Sequence, residues 1–138
     1  MNPQPSAPAL GYVILYVRDV AASLAFYEKA FGLIRRFFHD DDGKAYGELE
    51  TGAARLAFAS LPLVEAHLKD GVSLAAADQP PLGFEVALVT QDVAGLYERA
   101  VKTGAATVSA PEVKPWGQTV AYVRDDNGFL VELCSPLP

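Results

Sequence analysis

Apolar and polar positions follow the same order twice along this chain. Residues 13–20 read Val-Ile-Leu-Tyr-Val-Arg-Asp-Val, and residues 86–93 read Val-Ala-Leu-Val-Thr-Gln-Asp-Val. Each segment begins as an apolar strand and passes at Asp-Val into apolar positions that recur at helical spacing. The second copy begins half a chain length after the first, so the pattern predicts a duplicated unit.

The first unit, residues 11–60, is predicted to have the order β-α-β-β-β. Asp19 is a good N-cap for its helix, and Gly32 is a good residue to end it because glycine adopts a positive φ without strain. Strands are expected at residues 11–17, 33–39, 44–50 and 54–60. Turns that contain Gly43 and Gly52 separate the last three strands.

The second unit, residues 84–138, repeats this order. Asp92 is expected to cap its helix. A short strand at residues 107–110 is followed by a predicted loop at residues 111–117, which carries two prolines. Strands at 118–124 and 129–134 then flank an Asp-Asp-Asn-Gly turn, which is a strong hairpin signal.

Residues 61–83 are predicted to link the units, and residues 1–10 to form a flexible arm outside one structural domain. Two such units predict an α+β fold in which a curved mixed β-sheet surrounds a cavity and the helices lie outside. Strand alternation then separates two faces. Val13, Leu15 and Val17 are expected under the helix, with Val86 and Leu88 in the second unit. The expected cavity-facing residues are Tyr12, Ile14, Tyr16, Glu85, Ala87 and Val89.

Charge and cysteine content exclude several kinds of protein. The 138 residues carry a net charge of −6, and no Lys/Arg cluster is present, so neither nucleic acid nor an anionic membrane is an expected partner. The single cysteine, Cys134, cannot form an intrachain disulfide or a cysteine-based zinc site. No secretory signal pattern is present at the N-terminus, so the expected location is the cytoplasm.

Three segments resemble the vicinal oxygen chelate superfamily, which contains glyoxalases, bleomycin-resistance proteins and extradiol dioxygenases. They are residues 18–27 (Arg-Asp-Val-Ala-Ala-Ser-Leu-Ala-Phe-Tyr), 31–33 (Phe-Gly-Leu) and 124–133 (Arg-Asp-Asp-Asn-Gly-Phe-Leu-Val-Glu-Leu). The resemblance extends over nearly all of residues 11–136. It implies the paired-module fold, and it implies dimers, which are common in this family. It does not specify a reaction, because one fold hosts several chemistries.

The resemblance also implies four points at which the enzymes of the family hold a divalent metal. These points correspond here to Tyr12, Ala57, Glu85 and Glu132. Only Glu132 matches the family pattern of His or Gln at the first strands and Glu at the last strands. Ala57 has no donor atom, and a protonated Tyr hydroxyl is a poor ligand. We therefore expect no metal ligands and no cofactor, with a divalent metal as the alternative.

These observations favour a metal-independent protein that binds a small, planar, largely apolar organic molecule. Aromatic walls and polar anchors are expected from Tyr12, Tyr16, Trp116, Gln118, Glu85 and Glu132. For each of these residues, packing or pocket-floor hydrogen bonding is the competing interpretation. A homodimer is expected from the resemblance.

The alternative is an enzyme of the same superfamily, either a lyase or isomerase of the glyoxalase type or a dioxygenase, with an atypical ligand set. Its best catalytic candidates are Glu85 and Glu132, because two carboxyls in one concavity raise one pKa and supply an acid and a base.

Overall fold

The computed structural model describes residues 7–138, so most of the predicted N-terminal arm, residues 1–6, lies outside the described residues. The first module consists of β1 (Tyr12–Val17), α1 (Val20–Phe31), β2 (Ile34–Asp41), β3 (Lys44–Glu50) and β4 (Arg55–Ser60). A short helix, α2 (Leu61–Glu65), begins the linker. The second module consists of β5 (Val86–Val89), α3 (Val93–Thr103), β6 (Ala106–Val113), β7 (Thr119–Arg124) and β8 (Leu130–Cys134).

The fold is α+β, as predicted, and each module contributes one four-stranded mixed sheet. The strand orders are β1-β4-β3-β2 and β5-β8-β7-β6. In each sheet the first strand pairs in parallel with the last, and the remaining pairs are antiparallel. Ile14 pairs with Ala57, and Ala87 pairs with Glu132. The register therefore confirms that Ala57 and Glu132 are equivalent positions of the duplication.

Local sequence explains where both long helices begin and end. The Asp19 carboxylate accepts a hydrogen bond from the Ala22 amide, and the Asp92 carboxylate accepts one from the Gly95 amide. These bonds satisfy amides that have no partner inside the helix. Gly32 ends α1 at φ 73°, a left-handed conformation that costs glycine little.

The two modules of one chain pack against each other through α1 and α3. The Tyr27 hydroxyl donates to Asp125 at 2.6 Å, and the Asn127 amide donates to the Ser23 hydroxyl at 2.9 Å. The Arg99 guanidinium donates to the Lys29 carbonyl oxygen at 2.8 Å. Buried apolar residues of both modules form one continuous core. The duplicated units therefore pair within the chain.

The face assignment is correct for most strand residues and wrong for one. Leu15 and Val17 are buried, and Val86 and Leu88 pack against the core. Val13 was expected under the helix but is 37% exposed. It lies at the start of β1, the outer strand of its sheet, where the helix does not cover it and where it lines a cavity instead.

The predicted loop at residues 111–117 is wrong at its start, because β6 continues through Pro111 to Val113. β6 is the outer strand of the second sheet, and proline is tolerated there because an amide that points away from the sheet needs no partner. The pairing register shifts between Ser109 and Glu112, on either side of the proline.

No helix within residues 7–138 is long and apolar enough to cross a membrane.

We predict that Tyr27→Phe lowers the free energy of unfolding by about 1–3 kcal/mol, because the buried Asp125 carboxylate loses a hydrogen-bond donor. Asp125 is 4% exposed, so water cannot replace that donor freely. Urea unfolding followed by circular dichroism measures the change.

Tyr97→Phe is the matched control, since the Tyr97 ring packs on the same core and its hydroxyl makes no hydrogen bond within residues 7–138. Equal stability losses in the two variants would show that the Tyr27 hydroxyl does not stabilise the contact between the modules.

Candidate functional site

Two carboxyl groups meet on the open face of the second sheet. Glu85 directly precedes β5, and Glu132 lies in the middle of the neighbouring strand β8. Because Ala87 pairs with Glu132, residue 85 lies one strand repeat away on the same face. They are close enough for each carboxyl to shift the pKa of the other. The predicted convergence of these carboxyls occurs within one module, between adjacent strands.

The two carboxyls share one proton near neutral pH. The hydrogen bond to Glu132, with burial and charge repulsion as further causes, raises the pKa of Glu85 to about 7. The same hydrogen bond lowers the pKa of Glu132. Opposite shifts are expected when adjacent carboxyls cannot both ionise easily. Glu85 therefore carries the proton, and Glu132 is the anion.

Two further side chains stabilise the Glu132 carboxylate. The Tyr122 hydroxyl donates to it at 3.0 Å, and desolvation together with this bond raises the pKa of Tyr122 to about 12. Desolvation and a hydrogen bond to Glu132 raise the pKa of the Cys134 thiol to about 11. Since the thiolate is the reactive form of cysteine, Cys134 is a poor nucleophile here.

A cavity of about 620 Å³ lies along the free edge of β5, and Glu85 is one of its wall residues. Its size falls within the range of small-molecule sites. Both modules contribute to the wall. The apolar side chains that line it are Val13, Phe31, Leu33, Leu56, Val86, Leu88, Val89 and Leu96. Arg55 from the first module adds a guanidinium group.

The predicted aromatic residues do not converge on this cavity. Tyr16 lines a second, smaller cavity of about 230 Å³, together with Phe84 and Phe129. Tyr12, at the start of β1, is 58% exposed. Trp116, in the turn between β6 and β7, is 57% exposed. Among the described residues, the larger cavity therefore has Glu85 as its one predicted site residue.

Gln118 holds Trp116 in place through a pair of hydrogen bonds. Its side-chain oxygen accepts from the Trp116 indole N–H at 2.8 Å, and its side-chain nitrogen donates to the Ser135 carbonyl oxygen at 2.8 Å. The Gln118 amide thus fastens the turn to the segment after β8. A contact between either residue and a ligand stays a prediction.

Comparison with known proteins agrees with this architecture. Residues 9–133 match the model of the Glyoxalase/Bleomycin resistance protein/Dioxygenase superfamily. The chain belongs to this superfamily. No curated protein matches the chain.

Several solved structures share this fold at low sequence identity. A glyoxalase-related enzyme from Fulvimarina pelagi is 22% identical, with a TM-score of 0.75 over 94% of this chain and 89% of that one. TioX from Micromonospora sp. ML1 is 22% identical, with a TM-score of 0.68 over 93% and 98%. A glyoxalase/bleomycin resistance protein/dioxygenase from Nocardioides is 21% identical, with a TM-score of 0.67 over 97% and 87%.

At the metal-binding points known for this superfamily, this chain has few side chains that could coordinate a metal ion. Ala57 is fully buried and has no donor atom, and Tyr12 replaces the donor at the start of the first module. Within residues 7–138, no group of three or more His, Cys, Asp or Glu side chains is placed to hold a metal ion. Transition-metal sites need at least three such donors, so these residues do not fit the metal that the superfamily implies.

Two residues of this region were not predicted from the sequence. Tyr122 contacts Glu132 across the β7–β8 pair, and strand alternation in β7 was the signal that could have found it. Arg55 lies beside Tyr12 in the β1–β4 register. Arg55 carried no local signal, because its place in the cavity wall depends on how the second module packs against the first.

We predict that Glu132→Gln lowers the pKa of Glu85 from about 7 toward the ordinary glutamate value, because the shared proton and the charge repulsion both disappear. Carboxyl carbon NMR titration measures this shift. Glu112→Gln is the control, since Glu112 pairs with Lys114 in a separate part of the sheet. A titration near pH 7 that survives Glu132→Gln would contradict the shared proton.

Stability should also depend on pH through this pair. The pKa of Glu85 is raised to about 7 in the folded protein, so the folded state holds a proton that the unfolded chain has released. Protonated Glu85 therefore stabilises the folded protein at acidic pH, and this contribution is lost as pH rises through 7. We predict that the urea midpoint falls more between pH 5.5 and 8 in the wild type than in Glu85→Gln. Equal slopes would refute this linkage.

Proposed function

We propose that this protein is a metal-independent small-molecule-binding protein of the glyoxalase/bleomycin-resistance type. The observation that carries the proposal is the mostly apolar cavity of about 620 Å³ with Glu85, whose pKa is coupled to Glu132, in its wall. Apolar walls supply affinity by removing ligand surface from water, and a few polar groups fix the orientation of the ligand. The expected ligand is planar and largely apolar.

The carboxyl pair favours a ligand that carries a cationic or hydrogen-bond-donating group. Glu132 is anionic, and Glu85 can ionise near neutral pH. A ligand cation stabilises the doubly ionised pair by charge attraction. The net charge of −6 adds a long-range attraction for cations. Cation binding is therefore coupled to loss of the shared proton.

The donor set supports binding in preference to metal-dependent catalysis. Tyr12 and Ala57 replace the donors of the first module, so Glu85 and Glu132 are the two carboxyls at the four points. Glu85 and Glu132 also remain the best candidates for a metal-free acid and base, because their pKa values are shifted in opposite directions. Tyr12, Tyr16, Trp116 and Gln118 remain candidate ligand contacts.

We further propose that the protein acts as a cytoplasmic homodimer. Exposed apolar side chains at the outer strands support the dimer, namely Leu10, Tyr12, Ile14 and Val89. Burying such residues against a second copy would remove them from water.

We predict that the planar aromatic cation proflavine binds to the wild type, and that Glu85→Gln weakens binding about tenfold through loss of a charge-assisted contact. Binding should tighten as pH rises through 7, because the pair becomes fully ionised. Fluorescence anisotropy of proflavine measures both effects.

The matched control is Glu112→Gln, which removes the same charge at a distance from the cavity. EDTA should leave proflavine binding unchanged. Stoichiometric metal in the purified protein that is lost in Glu132→Gln would overturn the proposal and favour a metal-dependent lyase, isomerase or dioxygenase.

A further inference from the structure

The larger cavity has groups of opposite charge in its wall. Glu85 comes from the second module, and Arg55 comes from the start of β4 in the first module. The rest of the lining is predominantly apolar. A ligand with a single cationic group would satisfy Glu85 and leave the guanidinium of Arg55 without an anionic partner from the ligand.

Arg55 retains donors for such a partner. Its Nη1 atom donates to the Gly52 carbonyl oxygen and lies 3.3 Å from the Glu50 carboxylate. Its Nε and Nη2 atoms make no hydrogen bond within residues 7–138. An arginine side chain has five N–H donors in a planar fork, which suits a carboxylate or phosphate oxygen pair.

Glu50 is shared between Arg55 and a second arginine, which is its closer partner. The Arg36 Nη1 atom lies 2.9 Å from the Glu50 carboxylate, against 3.3 Å for Arg55. The hydrogen bond from Arg36 is also the main cause that lowers the pKa of Glu50. Arg36 also lies 3.4 Å from Glu48, so the four groups form one ion-pair network in which Arg55 has a single, longer contact to Glu50.

Arg55 and Glu85 do not neutralise each other. Among the described residues they form no ion pair, and the Glu85 pKa is raised with no contribution from Arg55. A guanidinium within 4–6 Å would have lowered that pKa instead. The two charges are therefore separate poles of one cavity, which has an apolar lining.

We propose that the ligand of this cavity is an amphoteric, largely apolar molecule whose anionic group pairs with Arg55 and whose cationic group pairs with Glu85. This inference rests on the binding function proposed above and names its ligand class. Arg55 is then a specificity-determining residue. It selects zwitterions from among the aromatic cations that Glu85 alone would accept.

The test compares three biphenyls by isothermal titration calorimetry. One carries an aminomethyl group at one end and a carboxylate at the other, and each of the other two carries a single one of these groups. We expect the zwitterion to bind about tenfold more tightly than the amine, as a charge-assisted pair would give. Arg55→Gln should remove this preference, so that the zwitterion binds no more tightly than the amine.

Arg35→Gln is the matched control. It removes the same charge and an ion pair to Glu28, and Arg35 contacts neither Glu50 nor the cavity, so the zwitterion preference should remain. Circular dichroism and urea midpoints of both variants establish that each is folded. If Arg55→Gln does not fold, Arg55→Lys replaces it, and it should reduce the preference because a lysine lacks the planar fork.

A zwitterion that binds no better than the amine, or an equal preference in wild type and Arg55→Gln, would overturn the amphoteric assignment. If none of the biphenyls binds while proflavine does, this assignment fails and the binding function stands. If proflavine also fails to bind, both proposals fail.

Discussion

The contact between α1 and α3 is the interaction on which the rest of the molecule depends. It lies within one apolar core shared by the two copies of the duplicated module. Beside it, the Tyr27 hydroxyl of α1 makes a buried bond to Asp125 in the turn after β7. One module alone would bury too little apolar surface between its sheet and its helix to form a stable core. Because the helices meet, β1 and β5 come to face the region between the modules, and the larger cavity opens there.

The chemistry of that region follows from unequal divergence of the two copies. At equivalent positions of the last strands, the first module has Ala57 and the second has Glu132. The same comparison at the first strands sets Tyr12 against Glu85. At these four points both carboxyls therefore lie in the second module, where they compete for a proton. Arg55, in the other module, makes the electrostatic environment of the cavity asymmetric.

Much of the fold could be predicted because its signals are local. Asp19 and Gly32 define the ends of α1 through hydrogen bonds and backbone angles within a few residues. The Glu85–Glu132 pair was also predictable, because duplication and strand alternation put both side chains on one face. The strand containing Pro111 was predicted to end too early, because an edge strand tolerates a proline that a central strand would not.

The sequence by itself determined the duplicated modules, the helix boundaries and the identity of the acidic pair, because each depends on periodicity or on neighbours along the chain. Only the tertiary structure decided that Arg55 shares a cavity wall with Glu85, that Val13 lines the same cavity, and that Trp116 is fastened by Gln118 away from it. Those relations depend on the packing of one module against the other and on loop geometry. Contacts between residues far apart in the chain are set by the shape of the whole core, which no local pattern encodes.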